Sequence, residues 1–156
     1  KYDFTGKVAL VTGSSSGIGE AIAIQLAQYG AKVAITGRNV EALSRVADEI
    51  EKVSGQKALQ VIGDLAKDAE LPKKLIDETI GKFGQLDVLV NNAGGGSPHD
   101  SLLKEEVMEC YDQVFQLNVR SVLDLTRLAV PHLEKTKGNI INISSIASLL
   151  PVSTSC

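Results

Sequence analysis

The chain has 156 residues, 44% of them hydrophobic, and 16 Lys and Arg against 19 Asp and Glu give it a net charge of −3. That length forms one compact domain with a real core, residues 1–156, and leaves no room for a second. The acidic balance and scattered cations argue against nucleic acid as a partner, and no apolar run approaches the roughly 20 residues of a membrane span.

The two cysteines, Cys110 and Cys156, are far apart and have no metal-ligand spacing. Reduced thiols in an intracellular, cytoplasmic protein without a metal are therefore expected. No signal peptide opens the chain, although a trimmed start at Lys1 stays open.

In chain order, Lys7 to Val11 reads as a first strand and Gly17 to Tyr29 as a helix with Ile22, Leu26 and Tyr29 at helical intervals. Gly30 ends that helix. Lys32 to Thr36 is the second strand, and Val40 to Val53 a helix whose apolar face is Ala42, Leu43, Val46, Ala47 and Ile50. Lys57 to Ile62 is a third strand ending at Gly63 and Asp64, and Asp68 to Phe83 a helix with Pro72 in its first turn. Leu86 to Val90 is a fourth strand, apolar enough to be buried on both faces.

After a loop from Gly94 to Pro98, a single long helix is expected from Lys104 to Leu133, weakened at Pro131. Its expected buried stripe is Val107, Tyr111, Val114, Asn118, Val122, Leu125 and Ala129, with one polar member. Asn139 to Ile143 is the fifth strand. This alternation predicts a three-layer α/β architecture built on a doubly wound parallel sheet of about five strands.

Between the first strand and the first helix lies Thr12-Gly13-Ser14-Ser15-Ser16-Gly17-Ile18-Gly19. A strand that ends in spaced glycines and restarts as a helix offers unpaired N–H groups and a positive dipole end to a pyrophosphate. Gly13 suits the exit turn, Gly17 leaves room for phosphate, and Gly19 lets helix lie against strand. The spacing differs from the usual G-x-G-x-x-G fingerprint.

Thr12-Gly13-x-x-x-Gly17-x-Gly19, Asn91-Asn92-Ala93-Gly94, the mid-helix Asn118 and Ile143-Ser144-Ser145 together resemble the short-chain dehydrogenase/reductase family, from Lys7 to Ser145. The resemblance implies a Rossmann fold and hydride transfer between a nicotinamide and a carbonyl or secondary-alcohol substrate. It implies a cofactor cleft of Gly13, Ser15, Ser16, Gly17, Ile18, Gly19, Arg38, Asn39, Asp64, Leu65, Asn91, Ala93 and Gly94. Within it Asp64 would accept from the adenine amino group, although an aspartate there also suits a turn or cap. Asn91 would tie neighbouring strands together, and Asn92 would border the cofactor.

Given that fold, Gly37 and Arg38 replace the acidic residue that would bind the ribose 2′-hydroxyl of NAD, so NADP(H) is expected over NAD(H). The alternative is a solvated arginine opening a helix. Gly37 is expected to leave space for the phosphate, and Ser14, Ser15 and Asn39 to supplement Arg38. One departure is Ser16, where many NADP-using relatives carry a basic residue.

Asn118 and Ser145 would be catalytic, Ser145 hydrogen-bonding the substrate carbonyl and Asn118 holding a water for proton relay. A buried Asn118 must in any case find partners, since leaving its amide unpaired costs about 1–3 kcal/mol. The family's Tyr-x-x-x-Lys, in which an ammonium lowers the phenol's pKa, is missing. The chain therefore reads as the amino-terminal part of such an enzyme or a shortened member, inactive alone and a homo-oligomer when whole. The alternative is a non-catalytic nucleotide-binding or interaction module. His99 and His132 read as surface and helix-end residues, and Lys104 to Glu106 as a solvated first turn.

Overall fold

In a computed structural model of the chain, residues 2–96 and 107–146 are described. The strands are β1 (Val8–Val11), β2 (Lys32–Gly37), β3 (Leu59–Ile62), β4 (Val88–Asn91) and β5 (Asn139–Asn142). The helices are α1 (Gly17–Gln28), α2 (Val40–Ser54), α3 (Leu71–Phe83), α4 (Val107–Phe115) and α5 (Ser121–Thr136). A π-helical turn, Gln116–Arg120, joins the last two.

All four strand pairings are parallel, in the order β3-β2-β1-β4-β5. Ala9, for example, is flanked by Val33 on one side and Val88 on the other. β1 and β4 are buried along their whole length, and so their sequences are unbroken apolar runs up to Asn91. The chain winds outward from β1 to β3 and then crosses back to β4. That reversal opens a crevice at the carboxyl ends of β1 and β4, where doubly wound sheets bind ligands.

Alternate residues of each strand feed two cores. Val33 and Ile35 face one side with Ala23, Ala27, Leu43 and Ile50 of α1 and α2, whereas Ala34 faces the other with Leu75, Leu125 and Ala129 of α3 and α5. This is the expected three-layer arrangement. Gly55 and Gly84 end α2 and α3 in the left-handed conformation.

Two elements differ from expectation by more than two residues at an end. α3 begins at Leu71 and not near Asp68, because the Asp64 carboxylate accepts from Ala66 N–H and the Asp68 carboxylate from Glu70 N–H. Such local bonds hold turns in competition with helix. The long helix is the second difference. Its expected start at Lys104 to Glu106 lies outside the described residues, and the rest is divided by the π turn.

A π turn carries one residue more per turn, so the faces before and after it do not line up. Consequently Tyr111, at 51% exposure, and Asn118 are on the surface, and the expected stripe through them is wrong. The buried stripe after the turn is Ser121, Leu125, Ala129 and Leu133. Pro131 lies inside α5 and does not end it. The last turn is held instead by the buried Leu133 and by the Thr136 hydroxyl, which donates to the Leu86 carbonyl at 2.7 Å.

Candidate functional site

The crevice is lined by the β1–α1 loop, the ends of β2 and β3, and the loop after β4. Its walls include Gly13, Ser15, Ser16, Arg38, Asp64, Leu65, Ala93 and Gly94, eight of the residues expected there. Thr36, Gly37, Gly63 and Leu117 also line it.

The loop is shaped by Thr12, a residue to which the motif alone attaches no role. Its hydroxyl accepts from Asn92 N–H at 3.0 Å and Ala93 N–H at 2.9 Å, and donates to the Val90 carbonyl. The Asn92 side chain returns the contact, donating to the Thr12 and Gly13 carbonyls. One strand end is thereby locked to the next. Gly13 turns out of β1 at φ 62°, a conformation costly for a side-chain-bearing residue, and a Cβ there would meet Ala93 Cα at 2.8 Å.

Ser14 does not line the crevice. It is fully buried, donates to the Val11 carbonyl and accepts from Thr36 N–H, so its hydroxyl is spent on joining β1 to β2. Gly37 also differs from expectation, since a Cβ there would lie 2.8 Å from Ser15; the room it leaves is filled by that serine. Asn39 caps α2 by accepting from Ala42 N–H at 2.8 Å. Its carbonyl oxygen is therefore committed to the helix.

The start of α1 suits an anion. The Ser16 side chain makes no capping bond, which leaves first-turn N–H groups open, and Gly17 at φ 59° has nothing within 4 Å of where a Cβ would be. Ile18 is exposed beside it, at 63%. Gly19 lies behind, where a Cβ would come within 2.4 Å of the Gly13 carbonyl oxygen and of Asn92 Nδ2. Helix and loop touch there through the Gly13 backbone and the Asn92 amide.

Across the crevice, Arg38 at the end of β2 reaches toward Asp64 at the end of β3, with Nη1 3.8 Å from Oδ2. Leu65 is buried next to it. Asn91 is buried at the end of β4, and its amide donates to Asn142 Oδ1 at 2.9 Å, a side-chain link between β4 and β5.

Asn118 projects from the π turn onto the loop after β4. Its Oδ1 accepts from Gly95 N–H at 3.0 Å and its Nδ2 donates to the Gly95 carbonyl at 2.7 Å, a two-way clasp on one residue. Its amide is satisfied as expected, by a distant loop and not by its own helix. Gly94 leaves the space this needs, since a Cβ there would lie 3.0 Å from Asn118 Oδ1. Ser144 and Ser145 follow β5 and are exposed. His99, Pro98, Lys104 to Glu106 and Cys156 lie outside the described residues.

Among the described residues no group of three metal-ligating side chains forms, and no helix is long and apolar enough to cross a membrane. None of the three tyrosines lines the crevice. Tyr2 pairs with Tyr29 and Tyr111 with Phe115.

A glycine turn feeding an open helix start, at the switch point of a doubly wound parallel sheet, defines a Rossmann-type fold. The family model for short chain dehydrogenases matches residues 7–156, and the chain belongs to that family. It is 39% identical over 150 residues to 11-beta-hydroxysteroid dehydrogenase-like 2 of Arabidopsis thaliana, covering 95% of this chain and 47% of that protein.

L-sorbose reductase from Gluconobacter frateurii, solved with NADPH and L-sorbose, superposes with a TM-score of 0.89 at 34% identity over 98% of this chain and 57% of its own. A 7 alpha-hydroxysteroid dehydrogenase solved with NADH and 7-oxo glycochenodeoxycholic acid superposes at 0.86 with 37% identity, over 96% and 56%. The chain spans about half the length of the curated relatives it matches.

Proposed function

We propose that this chain forms the cofactor-binding half of an oxidoreductase that moves a hydride between NADP(H) and a carbonyl or secondary-alcohol substrate. When bound, the nicotinamide supplies the hydride, and the protein's part is to bind and orient it. The residues present fit that group. The open start of α1 and the empty space at Gly17 receive the pyrophosphate, and the crevice between Arg38 and Asp64 receives the adenosine.

The observation that carries the NADP(H) preference is Arg38. Its side chain is 75% exposed at the crevice wall, and the turn position that would carry an acid in an NAD site carries none. A planar, permanently charged fork suits a phosphate. Asp64 accepts from the adenine amino group in this reading, and Asn91 fixes β4 against β5 below the nicotinamide.

Asn118 and Ser145 take the catalytic positions, Asn118 by holding the Gly95 loop and a water, Ser145 by polarising the substrate oxygen. The 156 residues contain no Tyr-x-x-x-Lys, so we assign them cofactor binding without turnover. The proposal extends to self-association. Met108, Tyr111, Phe115, Val119 and Leu123 leave an apolar face exposed along α4, the π turn and α5, and a native protein that sediments as a monomer at every concentration overturns this part.

Calorimetric titration of the native protein with NADPH and NADH tests the cofactor reading. NADPH should bind more tightly. Arg38→Gln should weaken NADPH about tenfold or more while leaving NADH within about twofold, the loss of one charge-assisted contact. Equal affinity for the two cofactors in the unmodified protein sinks the preference.

A further inference from the structure

Arg38 is engaged before any phosphate arrives. Its Nη1 lies 3.8 Å from Asp64 Oδ2, and both residues line the same crevice. The two side chains differ in freedom. Asp64 is only 23% exposed and is pinned by its other oxygen, Oδ1, which accepts from Ala66 N–H at 3.0 Å. The turn is closed further by Lys67 and Asp68 N–H groups donating to the Asp64 carbonyl.

A long arginine can swing from one acceptor to another, whereas a carboxylate held in a turn stays where it is. An anion that recruits Arg38 therefore competes for it with Asp64. A ligand without that anion bears no such cost.

We propose that Asp64 is a specificity-determining residue that opposes Arg38, holding the preference for a 2′-phosphorylated adenosine below what the arginine alone would produce. The inference rests on the reading of Arg38 as the phosphate group's partner. It adds a second role to Asp64, because a contact to adenine serves both cofactors equally and cancels from their ratio, whereas competition for Arg38 acts on one of them.

The test uses 2′,5′-ADP and 5′-AMP, which differ by the 2′-phosphate and need nothing from the nicotinamide side of the crevice. Calorimetric dissociation constants are measured for the native protein, for Asp64→Asn and Arg38→Gln, and for the double variant. Asparagine keeps an oxygen for Ala66 N–H and removes the charge; Asp64→Ser, which suits the same turn, replaces it if the asparagine variant does not fold.

Asp64→Asn should raise the preference for 2′,5′-ADP over 5′-AMP by about two- to fivefold, the range of an exposed ion pair, even if both ligands bind more weakly. The gain should shrink as salt is added and vanish in the Arg38→Gln background. A ratio unchanged or lowered by Asp64→Asn, in a protein whose preference is lost on Arg38→Gln, overturns the inference alone. A gain that persists without Arg38 overturns the competition. If Arg38→Gln leaves the ratio at its native value, the reading of Arg38 fails and the inference fails with it.

Discussion

Gly17 and Gly19 are two residues apart and both belong to the phosphate-loop motif, yet their surroundings differ completely. A methyl group at Gly17 meets nothing within 4 Å, so alanine there carries only the cost of φ 59°, about 1–2 kcal/mol. At Gly19 the same methyl group would lie 2.4 Å from the Gly13 carbonyl oxygen and Asn92 Nδ2, contacts that require helix and loop to separate. Urea denaturation should therefore rank Gly19→Ala well below Gly17→Ala in stability, with about 2–4 kcal/mol lost at Gly19. NADPH titration should show Gly17→Ala folded and yet weakened about tenfold or more, because its methyl group enters the space proposed for the phosphate. The reverse order of stability would refute this division of roles.

Between elements, two polar ties join neighbours within a layer, one between helices and one between strands. Arg45 of α2 makes a bidentate pair with Glu20 of α1 at 2.7 Å for both bonds, and that hydrogen bonding holds the Glu20 carboxyl below its usual value. The arginine side is largely exposed, so the pair adds little stability. Asp87, just before β4, is different. Burial by itself pushes its carboxyl up, but hydrogen bonds from Lys7 Nζ at 3.0 Å, Val8 N–H at 2.9 Å and Gln85 Nε2 at 2.6 Å outweigh that and hold it below the usual carboxylate range.

A folded pKa below the unfolded value of about 3.9 means that the contribution is complete above that pH and is lost as pH falls through the folded value. Denaturation midpoints should therefore drop on acidification below about pH 4, and Asp87→Asn should flatten that drop. At neutral pH, Asp87→Ala should cost about 1–3 kcal/mol, because the buried Val8 N–H loses its partner. An acid limb as steep in Asp87→Asn as in the native protein would remove Asp87 from this role.

Across the whole molecule, the parallel sheet, its five strands and the helices between them were legible because each carries a local signature. β1 and β4 are continuous apolar runs, α2 has a clear apolar face, and Gly55 and Gly84 mark helix ends by a backbone conformation that glycine tolerates best. The glycine loop and Arg38 were legible as candidate site residues for the same reason. Their chemistry is written in residue type and spacing.

What was not legible depends on partners distant in sequence. Asn118 lies on an exposed π turn because its amide closes on Gly95, and no periodicity within the helix announces a bond 23 residues away. Pro131 does not end α5 because Thr136 and Leu133 anchor the final turn against residues near β4. Ser14 reads like its neighbours Ser15 and Ser16, but only the fold places its hydroxyl between Val11 and Thr36 and so withdraws it from the crevice.

The sequence by itself determined the order of elements, the family and the positively charged end of β2, since these follow from short-range pattern and from which side chains are present. The tertiary structure decided which hydroxyls and amides are spent on holding strands and loops together, and it set Asp64 against Arg38. Hydrogen bonds and ion pairs are decided by distance, and distance between residues far apart in the chain exists only once the chain has folded.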